Sequence, residues 1–577
     1  MTITFTLNSD GDGNSIVSDT LHKRIALREI TDIIDSNGHR LYKVNGKPIL
    51  IRGAGWTPDL FLRTNATRQE AEISYVKHMN LNTIRSEGKF ETEHWFDLCD
   101  EQGILVMIGW CCCDSWQRWD DWKQEQFFVA KESLRSQVRR LRYHPSVFVF
   151  LVGSDQAPTP DAEKAMISVF NAESWPNPIL SSASAAKSKV TGPSGVKMSG
   201  PYSYVAPSYW LVAPTTGGET ELGGAHGFLT EGGPGENPMT QSIRRVLPDE
   251  HLWPIDDWWN YHCGSSQGLY GTLTRFTDPL NNRYGTTTSL HDFSLKSQAQ
   301  AYEAHRAMFE AYTLKRYTAT GLIQWMQNNP FPSHIWHLYD YFLVPGSVYF
   351  ATRLACESVH PIYAYNDGSV WVSNSLFTDF IPKSSSLHLL VRAFSVDSSV
   401  LFNQDVQING GIKADSSIKL TTVPQFTTPV NSTYFVRLDL FDGQDQITTN
   451  TYWLSTTPEV LDWDQSTWYN TPTKVYANYA ALQSLPPSKL TSKTQTLPIS
   501  ATTMQTTVQI INDETGPIAF MVHVNIFKGE SGINVAPIFW NNNFVTLLPG
   551  EAVLLQATYS TSDLEGTTPT IVVDSFN

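Results

Sequence analysis

The stretch Val147-Phe-Val-Phe-Leu-Val152, which runs directly into Gly153-Ser-Asp155, indicates the fold class of this protein. Six apolar residues in a row are typical of a strand buried on both faces, and the helical pattern of residues 127–142 comes just before it. Buried strands that alternate with helices form parallel sheets, because each connection crosses back over a face of the sheet. We therefore expect a parallel α/β sheet around this strand.

The same alternation of short apolar runs and helical patterns continues on both sides of this strand, from residue 42 to about residue 356. Eight short apolar runs occur there, at 49–52, 81–85, 105–108, 147–152, 178–181, 196–198, 227–230 and 321–325. Helical patterns lie between them, for example at 68–79, 91–102, 127–142 and 295–317. Eight strands over about 310 residues predict a closed (β/α)8 TIM barrel rather than an open sheet.

The sequence on both sides of this segment alternates apolar and polar residues, as antiparallel sheets do. Only about 40 residues precede the segment, which is too few strands to close a sandwich. Two alternating blocks follow it and meet near Pro486-Pro487, and they predict two β-sandwiches. The predicted domains are a β-sandwich remnant at 1–40, the barrel at 41–358, a β-sandwich at 359–485 and a C-terminal β-sandwich at 486–577.

Charge and hydropathy patterning exclude two classes of partner. The 577 residues include 41 Lys and Arg against 56 Asp and Glu, a formal net charge of −15, and no basic run occurs. Such a chain repels the phosphate backbone of nucleic acid. No run of 18 consecutive apolar residues is present, so we expect no membrane span.

The six cysteines show no repeated Cys-x-x-Cys spacing, which argues against both a zinc ribbon and a disulfide scaffold. The triplet Cys111-Cys-Cys113 follows an apolar run at the end of a predicted strand, and we expect buried thiols there rather than metal ligands. The pattern leaves one disulfide open. The histidines are scattered, and we expect no metal site.

Three carboxylates follow predicted strand ends, where the loops of a barrel converge on one mouth: Glu87, Asp155 and Glu231. Cleavage of a glycosidic bond needs two carboxyl groups that flank the bond, and Asp155 and Glu231 would face each other from the fourth and seventh strands. Each has a plainer interpretation, Asp155 as a turn cap and Glu231 as a solvated loop acid. The 18 Trp, 23 Tyr and 28 Phe suit sugar rings as well as cores.

Eight motifs near the predicted strand ends carry a resemblance to a known family. They are Gly53-Ala-Gly-Trp-Thr-Pro58, Asn82-Thr-Ile-Arg-Ser-Glu-Gly88, Gly109-Trp-Cys-Cys-Cys-Asp114, Gly153-Ser-Asp-Gln-Ala-Pro158, Thr191-Gly-Pro-Ser-Gly195, Gly200-Pro-Tyr-Ser-Tyr204, Phe228-Leu-Thr-Glu-Gly232 and Gln324-Trp-Met-Gln-Asn328. In this order they resemble glycoside hydrolase family 2, and within it the exo-β-D-glucosaminidase branch, which removes glucosamine from the non-reducing end of chitosan oligomers. Ser154-Asp155 discriminates between branches, because most of the family has Asn-Glu there.

The resemblance implies that Asp155 is the general acid/base and Glu231 the nucleophile of a retaining mechanism, with carboxyl groups about 5–5.5 Å apart. Asp155 must then be protonated, so we expect burial and the charge of Glu231 to raise its pKa, while Glu231 stays ionised. Glu87 is the candidate contact for a 2-ammonium group, and its alternative is a salt bridge with Arg85 or Lys89. This chemistry needs no cofactor.

Further candidate substrate contacts are aromatic residues near predicted strand ends. They are Trp110, Tyr202, Tyr204, Trp325, Trp336 and Tyr339. We expect about half of them to touch sugar and the rest to pack in the wall, because aromatic rings serve both purposes. Asp340 is a candidate ligand of a sugar hydroxyl or, equally, a structural acid.

Members of this family begin with a galactose-binding-like sandwich and an immunoglobulin-like domain before the barrel. Here residues 25–30 resemble the exit strand of that second domain, and the resemblance also makes the two later sandwiches immunoglobulin-like. Three explanations stay open: a processed chain partnered by a separate N-terminal fragment, a partial gene product, and a remodelled protein.

Two rival functions also stay open. One is a β-mannosidase or endo-β-mannosidase of the same family, which would have to tolerate Asp at the acid position. The other is a carbohydrate-binding subunit that has lost catalysis. The sequons at Asn65 and Asn431 indicate a secreted or lysosome-like location, although residues 1–5 do not begin like a signal peptide.

Overall fold

The computed structural model describes residues 1–8, 15–22, 25–213, 215–217, 220–263, 273–384, 386–427, 429 and 432–577. The sequon asparagine at 431 lies outside these residues. Within them, no helix combines the length and the apolar character that crossing a membrane would need.

Five short strands precede the first buried strand. They are β1 Thr2–Asn8, β2 Ser15–His22, β3 Ile30–Ile34, β4 Arg40–Val44 and β5 Lys47–Pro48. β1 and β2 pair only with each other in an antiparallel sheet, whereas β3, β4 and β5 form a three-stranded sheet. Large apolar side chains of the first pair, including Phe5, Leu7, Ile16 and Val17, are exposed. This hairpin therefore has an apolar surface that the described residues do not cover.

The next nine strands include the parallel sheet predicted from residues 147–152. They are β6 Ile51–Trp56, β7 Thr83–Ser86, β8 Leu105–Gly109, β9 Val147–Leu151, β10 Ile179–Leu180, β11 Thr215–Gly217, β12 Thr220–Leu222, β13 Gly227–Gly232 and β14 Ala319–Gln324. Seven of them form one parallel sheet in the order β10-β9-β8-β7-β6-β14-β13, and β11 pairs with β12. The predicted parallel sheet is confirmed.

The sixth predicted strand, residues 196–198, is not a strand. Its described contact with the sheet is a single parallel bridge between Lys197 and Leu229 of β13. The reason is local, because Gly195 and Gly200 have φ angles of +74° and +61°. These left-handed residues bend the chain on both sides of the short apolar run, which leaves too little extended backbone for a ladder.

Nine helices connect or cover these strands in the described residues. They are α1 Ala66–His78, α2 Glu93–Gln102, α3 Gln124–Leu141, α4 Pro160–Ala172, α5 Thr240–Arg244, α6 Asp257–Tyr261, α7 Thr274–Tyr284, α8 Leu290–Leu314 and α9 Ser347–Ala355. The four helical patterns named from the sequence correspond to α1, α2, α3 and α8. Side-chain caps set two of the starts, since Asn65 accepts a hydrogen bond from Arg68 N–H and Thr92 accepts one from Trp95 N–H.

The amino ends of the parallel strands are filled by apolar side chains. Tyr42 of β4 packs edge to face on Phe148 and Phe228, with ring centroids 4.9 and 5.8 Å away. Ile51, the first residue of β6, belongs to the same buried cluster. Because this end is packed with aromatic and aliphatic groups, polar side chains collect at the opposite end, where the strands finish.

The rest of the chain is antiparallel. Its strands are β15 Val359–Tyr363, β16 Ser369–Asn374, β17 Leu387–Ser395, β18 Val400–Ile408, β19 Ser416–Thr422, β20 Thr433–Asp442, β21 Asp445–Ser455, β22 Val460–Leu461, β23 Thr473–Val475, β24 Leu490–Pro498, β25 Thr503–Asn512, β26 Ala519–Lys528, β27 Ile538–Trp540, β28 Val545–Leu547, β29 Ala552–Ser560 and β30 Pro569–Asp574. Their sheets have the orders β15-β16-β19, β18-β17-β20-β21, β22-β23, β24-β25-β29-β27 and β28-β26-β30. The predicted change from an α/β segment to all-β segments is confirmed.

One connection from this antiparallel region reaches the carboxyl ends of the parallel strands. The backbone N–H of Tyr202 donates to the carbonyl oxygen of Tyr469 at 2.8 Å, and Ser203 Oγ donates to Asn470 Oδ1 at 2.8 Å. Trp468 therefore lies beside the loops of the parallel sheet, although it is far from them in the sequence.

Candidate active site

A cavity of about 980 Å³ lies at the carboxyl ends of the parallel strands. Six of the ten predicted site residues line it: Glu87, Asp155, Tyr202, Glu231, Trp325 and Trp336. The three carboxylates chosen by their position after strand ends thus share one cavity. The shared edge of a parallel sheet explains this outcome, because all of its loops leave from the same side.

Arg85, the third residue of β7, lies at the centre of the carboxylate group. Its side chain is buried, and it donates to Glu231 through Nη1 and to Glu87 Oε1 through Nη2, the latter at 2.8 Å. Ser154 Oγ lies 3.0 Å from Nη2 and donates to Glu87. Burial disfavours the charged guanidinium, but Glu87 and Glu231 outweigh it and hold the pKa of Arg85 above its usual value.

Asp155 follows β9 and is the exposed member of the group. Its Oδ1 lies 3.2 Å from Ser154 Oγ. Desolvation and the nearby charge of Glu87 raise the pKa of Asp155, which favours the protonated form that an acid catalyst needs. The pKa of Asp155 is raised, as expected, but the carboxylate that raises it is not the expected one. We had assigned the effect to Glu231, and Glu87 is the carboxylate that supplies it.

Glu231, on β13, is buried and fully hydrogen-bonded by protein donors. Arg85 donates to its Oε1, and the Tyr202 hydroxyl donates to Oε2 at 2.7 Å. Burial and the charge of Glu87 raise the pKa of Glu231 to about 8, against the opposing effects of Arg85 and Tyr202. Burial and Glu87 thus oppose the ionised form of Glu231 that a nucleophile needs, whereas Arg85 and Tyr202 favour it. Its ionisation stays a prediction.

Glu87 forms the salt bridge considered for it and also lies at the cavity, while its contact with a 2-ammonium group stays a prediction. The salt-bridge alternative is observed with Arg85, whereas Lys89 lies 3.8 Å from Asp114 instead. Glu87 also lines the cavity, where its side chain is 14% exposed. Its carboxylate is therefore shared between a structural ion pair and the space in which a ligand would lie.

The aromatic part of the wall combines residues from both regions of the chain. Trp336 Nε1 donates to the carbonyl oxygen of Tyr202 at 3.3 Å, and the ring of Trp468 lies 5.6 Å from the Tyr202 ring in an edge-to-face arrangement. Trp325 lies over Arg85, with 5.8 Å between its ring centroid and the guanidinium carbon. These rings form apolar surface around the carboxylates, as sugar-binding pockets require.

Four predicted site residues do not line the cavity, and their expected substrate contacts are corrected. Trp110 is buried and packs on Trp116. The Tyr204 hydroxyl donates to Glu459 at 3.1 Å, away from the cavity. Tyr339 packs on Tyr75 and accepts a hydrogen bond from Gln327, and Asp340 accepts the N–H groups of Phe342 and Val344. Proximity to a strand end does not fix which way a side chain points, and all four point into the packed wall.

The cysteine triplet also differs from the expectation of buried thiols. Cys112 and Cys113 form a disulfide, with Cα atoms 3.8 Å apart, and Cys113 is exposed and lines the cavity. Cys111 is a half-buried thiol. The two sulfur atoms, one oxygen of Glu87 and one of Asp155 all lie within 4.8 Å of one another.

Sequence reasoning missed Trp468 as part of the site and named Arg85 only as a possible salt-bridge partner of Glu87. Ser154 was noted as a family marker only. No local signal could have placed Trp468 there, since its position depends on the docking of residues 468–470 onto the parallel region.

The positions of Asp155 and Glu231 are typical of one class of protein. Two carboxyl groups in one cavity at the carboxyl ends of parallel strands are characteristic of glycoside hydrolases. A family described as the exo-β-D-glucosaminidase Ig-fold domain matches residues 468–577. That segment begins at Trp468, the residue that reaches the cavity from the antiparallel region.

Whole-chain comparisons extend the match. An exo-β-D-glucosaminidase of Streptomyces avermitilis is 36% identical over 99% of this chain and 64% of its own length. The crystal structure of Amycolatopsis orientalis exo-chitosanase CsxA is 33% identical, with a TM-score of 0.91, and the match covers 100% of this chain and 68% of that one. A mannosylglycoprotein endo-β-mannosidase of Lilium longiflorum is 24% identical over 100% of this chain and 67% of its own length.

The chain belongs to the exo-β-D-glucosaminidase branch of glycoside hydrolase family 2. It spans 64% of the length of the curated Streptomyces relative.

Proposed function

We propose that this protein is a retaining glycosidase that removes β-linked glucosamine from the non-reducing end of chitosan-type oligosaccharides. One observation carries the proposal: Glu87, Asp155 and Glu231 line a single cavity, and Arg85 holds two of them. The names of the relatives support the choice of sugar, since the Streptomyces protein is called an exo-β-D-glucosaminidase. Asp155 also stands where the branch has its distinguishing Ser-Asp pair.

In the proposed mechanism Asp155 donates its proton to the glycosidic oxygen while Glu231 attacks the anomeric carbon. The bond between that carbon and the leaving oxygen breaks, and a covalent glycosyl-enzyme forms. Asp155, now ionised, takes a proton from water, whose oxygen displaces Glu231 and releases the sugar. This double displacement requires carboxyl groups about 5–5.5 Å apart, which stays a prediction.

We assign Glu87 to the 2-ammonium group of the substrate. Two glutamates share one arginine, so the cavity has unbalanced negative charge that a cationic sugar would neutralise. A cation beside Glu87 would offset the charge of Glu87 that raises the pKa of Glu231, and would therefore favour the ionised nucleophile. The net charge of −15 would add a weaker, salt-screened attraction for a cationic polymer.

We propose a closed eight-stranded barrel as the finer description of the parallel region, with the 196–198 segment as its sixth member through the bridge between Lys197 and Leu229. We also propose that domain boundaries lie at about residues 40, 358 and 485. We propose in addition that both later sandwiches are immunoglobulin-like. These proposals rest on the change from parallel to antiparallel sheets along the chain.

We further propose that a β-rich N-terminal segment, carried on a separate fragment, covers the hairpin of β1 and β2. Its support is the apolar surface of that hairpin, where Leu7 and Ile16 are 62% and 61% exposed. A secreted or lysosome-like location stays a proposal that rests on the sequons alone.

Aryl glycosides distinguish this function from its two rivals. The purified chain should hydrolyse aryl β-glucosaminide with a kcat/KM at least about 10²-fold above that for aryl β-mannoside. The mannoside has no ammonium group to pair with Glu87, and a polar group of the site left without its partner lowers kcat/KM. Chitosan oligomers should release single glucosamine units, which mass spectrometry would detect. Preference for the mannoside would support the β-mannosidase alternative. Binding of the oligomers by calorimetry without turnover of either aryl glycoside would support the binding-subunit alternative.

A further inference from the structure

The Cys112–Cys113 disulfide lies against the carboxylates of the cavity. One oxygen of Glu87, one of Asp155 and the two sulfur atoms form a cluster with no pair more than 4.8 Å apart. The four other cysteines, Cys99, Cys111, Cys263 and Cys356, are free thiols outside this cluster. The proposed glycosidase mechanism does not use the disulfide.

The backbone holds these donors together independently of the disulfide bond. Gly88 has a φ of +68°, and a Cβ there would lie 2.4 Å from the backbone nitrogen of Cys112. The loop that carries Glu87 is therefore in close contact with the cysteine segment. On the other side, the N–H of Cys113 donates to Gln117 Oε1 at 3.3 Å. Breaking the bond between the sulfurs would leave both side chains beside Glu87 and Asp155.

We propose that a dithiol reductant converts the Cys112–Cys113 disulfide into a zinc site whose ligands are the two thiolates, Glu87 and Asp155. Zinc prefers four ligands in a tetrahedron, with neighbouring donor atoms about 3–4 Å apart, and the spacing of this cluster allows that arrangement. Two sulfur donors select zinc or cadmium over magnesium and calcium. In the oxidised protein the sulfurs are bonded to each other and offer no thiolate to a metal.

The redox step is an ordinary thiol–disulfide exchange. A thiolate of the dithiol attacks one cysteine sulfur, the bond between the two sulfurs breaks, and the mixed disulfide is resolved by the second thiol of the reductant. The reductant ends as a cyclic disulfide, and Cys112 and Cys113 each end with one hydrogen. Zinc binding then releases both thiol protons to the buffer, and any proton on the carboxyl groups leaves with them.

Occupation of this site would block the proposed catalysis. Asp155 cannot hold the proton for the leaving group while its oxygen coordinates zinc, and Glu87 cannot meet the ammonium group of the sugar. The inhibition therefore rests on the proposed function, whereas the zinc site itself does not. Metal stoichiometry separates failure of the site from failure of the glycosidase assignment.

The first experiment counts thiols and bound zinc on the full chain before and after treatment with dithiothreitol. We expect four thiols per unfolded chain before reduction and six after it. After removal of the reductant without air, zinc chloride should add one metal ion per chain that the oxidised protein does not bind. Six thiols before reduction, or no additional zinc after it, would overturn the proposal.

The second experiment measures hydrolysis of aryl β-glucosaminide in both redox states. Zinc at about 10 µM should lower the kcat/KM of the reduced protein at least about tenfold, and a chelator should restore it, because the metal binds reversibly. The oxidised protein should lose less than about twofold. Bound zinc without loss of activity would refute inhibition and keep the site. Absence of activity in every state would refute the glycosidase assignment, while the zinc count would still be readable.

Matched serine variants locate the site. The double variant Cys112→Ser/Cys113→Ser should have four thiols in both states and bind no zinc that depends on reduction. Cys111→Ser removes the adjacent cysteine, should have one thiol fewer in each state, and should keep the reduction-dependent zinc. Asp97, Asp100 and His144 form another group that could hold zinc, and zinc bound there would not depend on the redox state. The zinc bound by the oxidised protein is therefore subtracted from that bound by the reduced protein. Loss of zinc in Cys111→Ser would contradict the assignment.

Discussion

Two buried arginines of this protein each lie between two glutamates, and their surroundings differ. Arg85 contacts Glu87 and Glu231 at the cavity, whereas Arg283 of α7 contacts Glu303 and Glu459 between the parallel region and the antiparallel one. A tyrosine completes each group, Tyr202 on Glu231 and Tyr204 on Glu459. The chemical components are the same.

The difference lies in whether an accessible third carboxyl group adjoins the arginine. Arg283 and the Tyr479 hydroxyl contact different oxygens of Glu303, which is fully buried. At the cavity, a third carboxylate, Asp155, is exposed beside the arginine group. Glu303 and Glu459 also line a cavity, of about 330 Å³, but no other carboxylate is among its described lining residues. An arginine between two glutamates therefore becomes a candidate active site when an accessible third acid adjoins it.

The strongest test of this comparison removes one carboxyl group from each region. Asp155→Ala and Glu231→Gln should each lower kcat at least about 10³-fold without unfolding the chain, because they remove the proton donor and the nucleophile. Glu459→Gln in the Arg283 group should change kcat less than about threefold, since Glu459 does not line the cavity that contains Asp155 and Glu231. Assays with aryl β-glucosaminide and circular dichroism of each variant measure both effects. Activity near that of the parent chain in Asp155→Ala or Glu231→Gln would exclude that residue from the mechanism.

The second test makes the same substitution at both arginines. Arg283→Met should lower the free energy of unfolding by about 3–5 kcal/mol, because two buried glutamates lose their partner. Arg85→Met should cost less stability, since Glu87 is partly exposed to water whereas Glu303 is fully buried, and should lose most of the activity. Denaturant midpoints and kcat give the two readouts. If Arg283→Met is too unstable to purify, the free energy of unfolding of Glu459→Gln is measured instead, because this variant should lose less stability than Arg283→Met. Equal stability losses at both arginines would contradict the expected effect of the deeper burial of Glu303.

The third and smallest effect concerns substrate charge and pH. Glu87→Gln should raise the KM for aryl β-glucosaminide about tenfold more than that for the neutral glucoside, because one charged hydrogen bond is lost. The charge of Glu87 raises the pKa of both Glu231 and Asp155. Its removal lowers both values, so Glu231 ionises and Asp155 loses its proton at lower pH. The bell-shaped dependence of kcat/KM should therefore move toward acid pH. Equal changes in KM for both sugars, with an unmoved pH profile, would make Glu87 purely structural.

Much of this fold and part of the site could be predicted from the sequence. Buried strands such as residues 147–152 have a strong local signal, and the carboxyl-end rule then brings Glu87, Asp155 and Glu231 together. The rule does not resolve side-chain direction, so it could not separate Trp325, which lines the cavity, from Trp110 and Tyr339, which pack in its wall. The 196–198 segment was too short for its apolar pattern to outweigh the glycines around it.

Other parts of the site depend on contacts that no local pattern contains. The pKa of Glu231 depends on how two glutamates divide Arg85, which only the packed geometry determines. The bond between Cys112 and Cys113 likewise depends on the backbone conformation of that turn, not on the spacing of the cysteines.

The contribution of Trp468 to the cavity has a consequence for how such proteins diversify. A pocket wall supplied by a remote part of the chain can be exchanged by recombination while the acid, the nucleophile and their arginine stay unchanged. Descendants could in this way acquire new chain-length preferences without passing through an inactive intermediate. Conversely, shortening the polypeptide ahead of Trp468 would leave the chemistry intact in principle and the sugar without one of its walls.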